Sequence, residues 1–204
     1  MGLFDGLRSI FGTRAESDAT SGADPDDLFG MSTAYLTMSA DLGYEPTGYA
    51  ALCFAEVDSH EFAGTVSDVR DILAAGEAET GTVSRFVDDD HGYRWVVFED
   101  EDDFEDLVTN LNFAADTFIE EGYGSRLLAA VFAFEGRGQP ADWIYSFRRG
   151  SYYPFAPAPD ASHERDNQLE LKLASVLDGE LDVEDDKEYW YPLWPSEGGR
   201  HPWE

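Results

Sequence analysis

A pattern that recurs at an offset of 79 residues constrains this chain more than any other feature. Asp27-Leu28 returns as Asp106-Leu107, Gly43-Tyr44 as Gly122-Tyr123, Ala50-Ala51 as Ala129-Ala130, and Glu56 as Glu135. Each copy is a stripe of helical period, a Gly-Tyr break and a strand-like run, with no insertion between the matched points. A repeated unit of one helix and one strand cannot bury its apolar face alone. The pattern therefore predicts two related halves sharing one sheet.

The remaining elements fit that frame. Asp24-Pro25 is an N-cap followed by proline at the first helical position. Leu28, Met31, Tyr35, Met38 and Leu42 form an apolar helical stripe that Gly43 ends, and a strand follows over 48–57. A second helix is predicted over 59–75, with Phe62, Val66, Val69 and Leu73 inward and Gly76 closing it. Strands 82–87 and 93–99 flank the turn residues 88–92 and read as a hairpin. A third helix spans 102–121, with Phe104, Leu107, Leu111 and Phe118 inward. Strands at 126–135 and 141–149, an extended piece at 151–156 and a last helix at 163–177 complete the body. Helices and paired strands without regular βαβ alternation predict an α+β fold, an antiparallel sheet with helices packed on it. The body is one domain over 26–195, preceded by an apolar segment (1–12) and a flexible acidic linker (13–25), and followed by a tail (196–204). Tyr189-Trp190-Tyr191-Pro192-Leu193-Trp194 is too aromatic to be free and is expected to pack on the body.

Charge limits the choice of partner. The chain carries 43 acids against 13 bases, a formal net charge of −30. Lys172 and Lys187 are its only lysines, and arginine supplies every other base. Such a chain suits a cytosol at molar salt, where a screening length of about 3 Å makes an acidic shell tolerable. Nucleic-acid binding is excluded as a main function, because counterion release needs a basic face. The lone Cys53, inside Ala50-Ala51-Leu52-Cys53-Phe54, reads as a buried structural thiol. No apolar run is long enough to span a bilayer and no secretory signal is present, so a cytoplasmic protein is expected. His60, His91, His163 and His201 show no ligand spacing, and the acidic runs read as solvated surface. No metal or other cofactor is expected.

Two stretches stand out as candidate sites. Leu3, Phe4, Leu7, Ile10 and Phe11 lie on one helical face in a stretch that is not acidic, which suggests reversible docking to a membrane surface or partner, or folding back on the body. Few cations lie beside that face, so attraction to anionic lipid would be weak. The second stretch places Arg148 and Arg149 before Tyr152, Tyr153 and Phe155, with Arg165, Asp166 and Asn167 following. It admits three readings: a structural seam of arginine–carboxylate pairs, a binding surface for an anion or acidic peptide, or an acid–base site using Asp166 or Glu170. No nucleophile–base pair and no glycine-rich phosphate loop accompany it, so no catalytic residue is assigned.

Several ordered motifs carry a family likeness over nearly the whole chain. They are Met1-Gly2-Leu3-Phe4-Asp5, Tyr44-Glu45-Pro46-Thr47-Gly48, Gly92-Tyr93-Arg94-Trp95, Arg149 to Pro157, Arg165-Asp166-Asn167 and Trp190-Tyr191-Pro192-Leu193-Trp194. With these the sequence resembles the PspA-associated PspAB family of haloarchaea and actinobacteria. The resemblance implies association with PspA, the membrane-remodelling protein of the phage-shock envelope-stress response, and carries over no catalytic residue. The order of helix, strands and helix from 102 to 177 is also similar to secretion-chaperone-like folds. The first functional expectation is thus a non-enzymatic adaptor that docks reversibly to membrane or PspA at the inner face of the cell membrane and binds a protein partner. A chaperone-like module holding an extended peptide along the 141–156 strand edge is the alternative. A hydrolase or transferase using an arginine/aspartate site stands third. Oligomeric state is not legible in the sequence.

Overall fold

The computed structural model describes residues 23–89, 92–159, 163–195 and 199–204. Leu3, Phe4, Leu7, Ile10 and Phe11, together with the linker up to residue 22, lie outside the described residues.

Six strands form one antiparallel sheet in the order β2-β3-β1-β4-β5-β6. These are β1 (Glu45–Ala55), β2 (Val83–Asp88), β3 (Tyr93–Glu99), β4 (Leu127–Gly136), β5 (Gln139–Ser146) and β6 (Ser151–Phe155). The helices are α1 (Met31–Thr37), α2 (His60–Thr80), α3 (Phe104–Glu120) and α4 (Asn167–Leu177). Helix α1 is entered through a 3-10 turn, Pro25–Gly30, and left through a π turn, Met38–Leu42. The fold is thus α+β with an antiparallel sheet, as the pattern predicts.

The two halves meet at the centre of the sheet. Strands β1 and β4 pair antiparallel with Ala51 opposite Val131 and Leu52 opposite Ala130, and Ala50 opposite Phe132 and Cys53 opposite Ala129. Shifting the first partner of each pair forward by 79 and the second back by 79 turns one pair into the other. The register is therefore closed under the sequence repeat, as if a two-fold axis passed between Ala51 and Leu52. Beyond these strands the halves diverge. The first inserts α2 before its hairpin β2–β3, whereas the second runs β4–β5–β6 as a meander and then adds α4.

Alternation along the strands sorts the core into two layers. Leu52, Phe54, Phe98, Phe132, Phe134, Trp143, Tyr145 and Tyr152 face the helices and are buried with Phe62, Leu107, Leu111 and Phe118. Contacts run from α2 to α3, from α3 to α1 and from α1 to α4, which sets the order of the helical layer. Ala51, Cys53, Trp95, Val97, Val131, Ile144, Tyr153 and Phe155 face the other way. That face is covered by Trp190, Leu193 and Trp203 from a C-terminal strap that has almost no regular secondary structure. Cys53 is fully buried in this layer, and burial pushes its thiol well above the ordinary range.

Several boundaries differ from the sequence reading: β1 covers Glu45–Ala55, not 48–57, β5 ends at Ser146, not at 149, and α4 starts at Asn167, not at 163. Helix α2 does not stop at Gly76 but runs to Thr80, with Gly81 at φ +81° as its left-handed cap. One interior glycine costs a helix only about 1 kcal/mol, and the Ala and Glu residues around it are good helix formers. Residues 201–203, assigned above to a tail, are buried: Trp203 lies 5.7 Å from Trp95, ring centre to ring centre, and stacks on His201 at 4.6 Å. Apolar area at Trp95 on the sheet's second face needs a cover, and Trp203 supplies part of it.

Candidate functional site

The arginine–aromatic stretch lies where β6, α4 and the strap converge. Strand β6 ends the sheet, but its outer edge is occupied. The Tyr152 N–H donates to Asp182 O at 2.7 Å, and the Glu184 N–H donates to Tyr152 O at 2.8 Å. Strand β5 lies inside the sheet between β4 and β6. The 141–156 segment therefore offers no free edge for an extended peptide, which removes the geometric basis of that reading. The aromatic residues placed in the candidate binding surface are likewise core. Tyr152, Tyr153 and Phe155 are at most 2% exposed, because alternating positions of a strand covered on both faces are all buried.

Two arginine–glutamate pairs hold this corner. Arg149 forks onto Glu184, Nε to Oε2 at 2.7 Å and NH2 to Oε1 at 3.2 Å, while its guanidinium lies 4.0 Å above the Tyr189 ring centre. Glu184 also accepts from the Ser151 hydroxyl at 3.2 Å and the Asp186 N–H at 3.1 Å. Burial by itself would raise the Glu184 carboxyl, but Arg149 and these donors outweigh it and hold the group below its ordinary range. Arg165 donates from Nε to Glu170 Oε1 at 2.8 Å, from NH1 to the Trp190 carbonyl and from NH2 to Pro154 O at 3.4 Å. Glu170, 2% exposed, also accepts the Ala156 N–H at 2.9 Å. Here burial wins and the carboxyl is raised, with Arg165 and the Ala156 N–H lowering it in part.

Asp166 caps α4. It accepts the Leu169 N–H at 3.0 Å and the Gln139 side-chain amide at 3.1 Å, and these bonds lower its carboxyl. A carboxylate so engaged is a poor proton acceptor. Asn167 follows at the first, exposed turn of α4. Arg148 is half-buried in the turn between β5 and β6. A small pocket of about 260 Å³ opens beside the seam, lined by Arg165, Asn167, Glu170, Leu171, Lys187 and Trp190. All three nitrogens of the Arg165 guanidinium already serve the protein, and the other base of the lining, Lys187, lies 5.8 Å from the Trp190 ring centre.

Other motifs that single out the sequence also have structural roles. Asp89 closes the β2–β3 hairpin by accepting the Tyr93 N–H at 2.8 Å and the Trp95 indole N–H at 3.0 Å, while Arg94 pairs with Asp88 and Glu56. Gly48 sits at φ +79° in a bulge of β1, and a Cβ there would meet Asp100 O at 2.9 Å. These motifs specify how the sheet is built and closed.

Compared with known families, residues 1–203 match the family model of PspA associated protein B. The chain belongs to this PspAB family. The match covers the apolar segment and linker together with the folded body, so the motifs are read in one continuous frame. A search of curated proteins and of solved structures gave no match. Among the described residues no helix is long and apolar enough to cross a membrane, and no cluster of His, Cys, Asp and Glu has the geometry to hold a metal ion.

Sequence reasoning expected residues 189–194 to pack on the body, as Trp190 and Leu193 do, but missed the closure of the β6 edge by 182–184. The aromatic content of 189–194 signalled that packing. Nothing in the Asp182-Val183-Glu184 sequence signals a parallel bridge.

Proposed function

We propose that this member of the PspAB family is a non-enzymatic adaptor of a PspA-type envelope-stress response. Residues 1–12 dock reversibly to membrane or to PspA, and the body binds a protein partner at the inner face of the cell membrane. The observation that carries the reading is the single apolar face of Leu3, Phe4, Leu7, Ile10 and Phe11 in a chain of net charge −30 whose family is named for PspA. The seam adds support from the other side. Arg165 and Asp166, which with Arg148 are the residues on which a hydrolase or transferase would draw, are engaged in joining the sheet to α4 and the strap.

Burial of a few apolar side chains in a membrane interface, with little help from charge, gives weak and reversible attachment. Deleting residues 1–12 is expected to abolish co-sedimentation with liposomes or PspA in molar salt. Undiminished co-sedimentation of the deletion variant overturns the docking role.

A further inference from the structure

The outer surface of the helical layer carries a groove unrelated to the seam. It runs between α2 and α3, has a volume of about 400 Å³, and is floored by Ile72 and Phe113. These side chains are 40% and 47% exposed, two of the few large apolar groups on the described surface. The rim is formed by Asp68, Asp71, Asp116, Glu120 and Glu121, and no base lines it. An apolar floor inside a wholly acidic rim fits an amphipathic segment that brings its own positive charge. It suits an anionic membrane poorly.

We propose that the groove is the resting place of residues 3–11 of the same chain, an internal dock from which the apolar segment is released to its partner. Three observations select this occupant. The segment is apolar on one face, through Leu3, Phe4, Leu7, Ile10 and Phe11. It also escapes the general acidity of the chain, since residues 1–14 hold Arg8 and Arg14 against the single acid Asp5. The described chain also begins against α3: Ala23 packs on the core, and the Asn112 side-chain amide donates to Pro25 O at 2.8 Å. Asn112 lies on the flank of α3 turned to the 3-10 turn and α1, so the segment has only that helix to cross to reach the groove on its α2 side. The residues from 12 to 22 can extend ~35 Å at about 3.3 Å each. Helix α3 is only ~26 Å long at about 1.5 Å per residue, so the whole groove is within reach.

Tethering makes a weak contact sufficient. A flexible linker of this length holds the segment at an effective concentration in the millimolar range, so an affinity too low to matter between separate molecules still populates the docked form. Membrane or PspA then competes with the groove for one apolar face. The inference goes beyond the adaptor reading, because docking in the groove is measured without lipid or partner.

The experiment uses the full chain in molar KCl at low concentration. Amide exchange of residues 3–11 is expected to be slowed about tenfold relative to an unstructured peptide. Phe113→Asp, at a solvent-exposed position that leaves the core intact, should remove that protection. Leu7→Asp with Phe11→Asp should shift the resonances of Ile72 and Thr117 in the groove. Phe113→Asp should also increase co-sedimentation with liposomes of neutral lipid by severalfold, since the segment is no longer held. Unprotected residues 3–11, or groove resonances that ignore the Leu7/Phe11 double variant, overturn the proposal. Protection that vanishes on dilution overturns it in favour of a second copy of the chain. Loss of exchange protection in Phe113→Asp with no change in co-sedimentation rejects the membrane role of residues 1–12 and leaves the internal dock standing.

Discussion

Asp142 shows how one residue couples this fold to pH. It lies on β5 opposite Ala133 and Phe155, is 6% exposed, and points with Ile144 toward the face covered by the strap. Burial raises its carboxyl from 3.8 to about 7. The folded protein therefore keeps a proton that the unfolded chain releases. Its stabilising effect is complete below pH 4 and disappears as pH rises through about 7. Each unit of displacement is worth ~1.4 kcal/mol, so the ionised carboxylate costs the fold on the order of 4 kcal/mol in alkaline buffer. Asp142→Asn keeps the shape and removes the charge. It is expected to match the parent near pH 3.5 and to exceed it by a few kcal/mol at pH 8, measured by urea unfolding at constant salt. Parallel stability–pH curves for the two proteins would discard this account. Glu184 slopes the opposite way, since its lowered carboxyl gives stability that is lost as pH falls, and that slope is common to both proteins in the comparison.

Among the elements, legibility in the sequence followed local chemistry. The β2–β3 hairpin stands within a residue of its expected ends because Asp89 and Gly92 make the turn by themselves. The 3-10 turn that leads into α1 starts where Asp24 caps it, and α3 starts where Asp103 does. The 79-residue offset predicted two halves sharing one sheet, and the β1–β4 register at its centre repeats that offset. Less was visible where distant parts cover one another. Gly76 looked like a helix end because propensity is a weak local signal, and the aromatic run at 152–155 looked like a surface because two covers, one of them irregular, are needed to bury it. Phe113 and Ile72 gave no sign of exposure, since an apolar residue beside a core stripe reads the same whether or not a neighbour covers it. The strap is the element whose weight is most open to measurement. Trp203→Ala removes a ring that is 2% exposed and packs on Trp95. Loss of a buried aromatic side chain costs about 3–5 kcal/mol, so urea unfolding should report a drop of that size with an unchanged far-UV spectrum. A change below ~0.5 kcal/mol, the range of ordinary surface substitutions, would mean that the last residues are not part of the core.

For the molecule as a whole, charge sets the conditions under which all of this holds. The only buried acids among the described residues are Asp100, Asp142, Glu170 and Glu184, so most of the net −30 lies at the surface. Arginine is spent on joints: Arg149 and Arg165 at the seam, Arg94 at the hairpin, Arg200 against Glu135, and Arg70 over the Phe86 ring at 4.6 Å. Surface repulsion is left to the solvent. At 0.1 M salt the screening length is about 10 Å, longer than the spacing of acids along α2 and α3, and at 1 M it is about 3 Å. Compact packing of these helices should therefore strengthen steeply with salt. Relief of a few kcal/mol raises the melting temperature of a chain this size by roughly 10 °C. The expectation is a rise of that order between 0.1 M and 2 M KCl, with most of it complete by about 1 M, where screening is nearly exhausted. A melting temperature that climbs just as steeply in equal concentrations of sucrose would point to solvent exclusion in place of charge screening. One independent of KCl would show that the acidic surface carries no repulsion for salt to relieve.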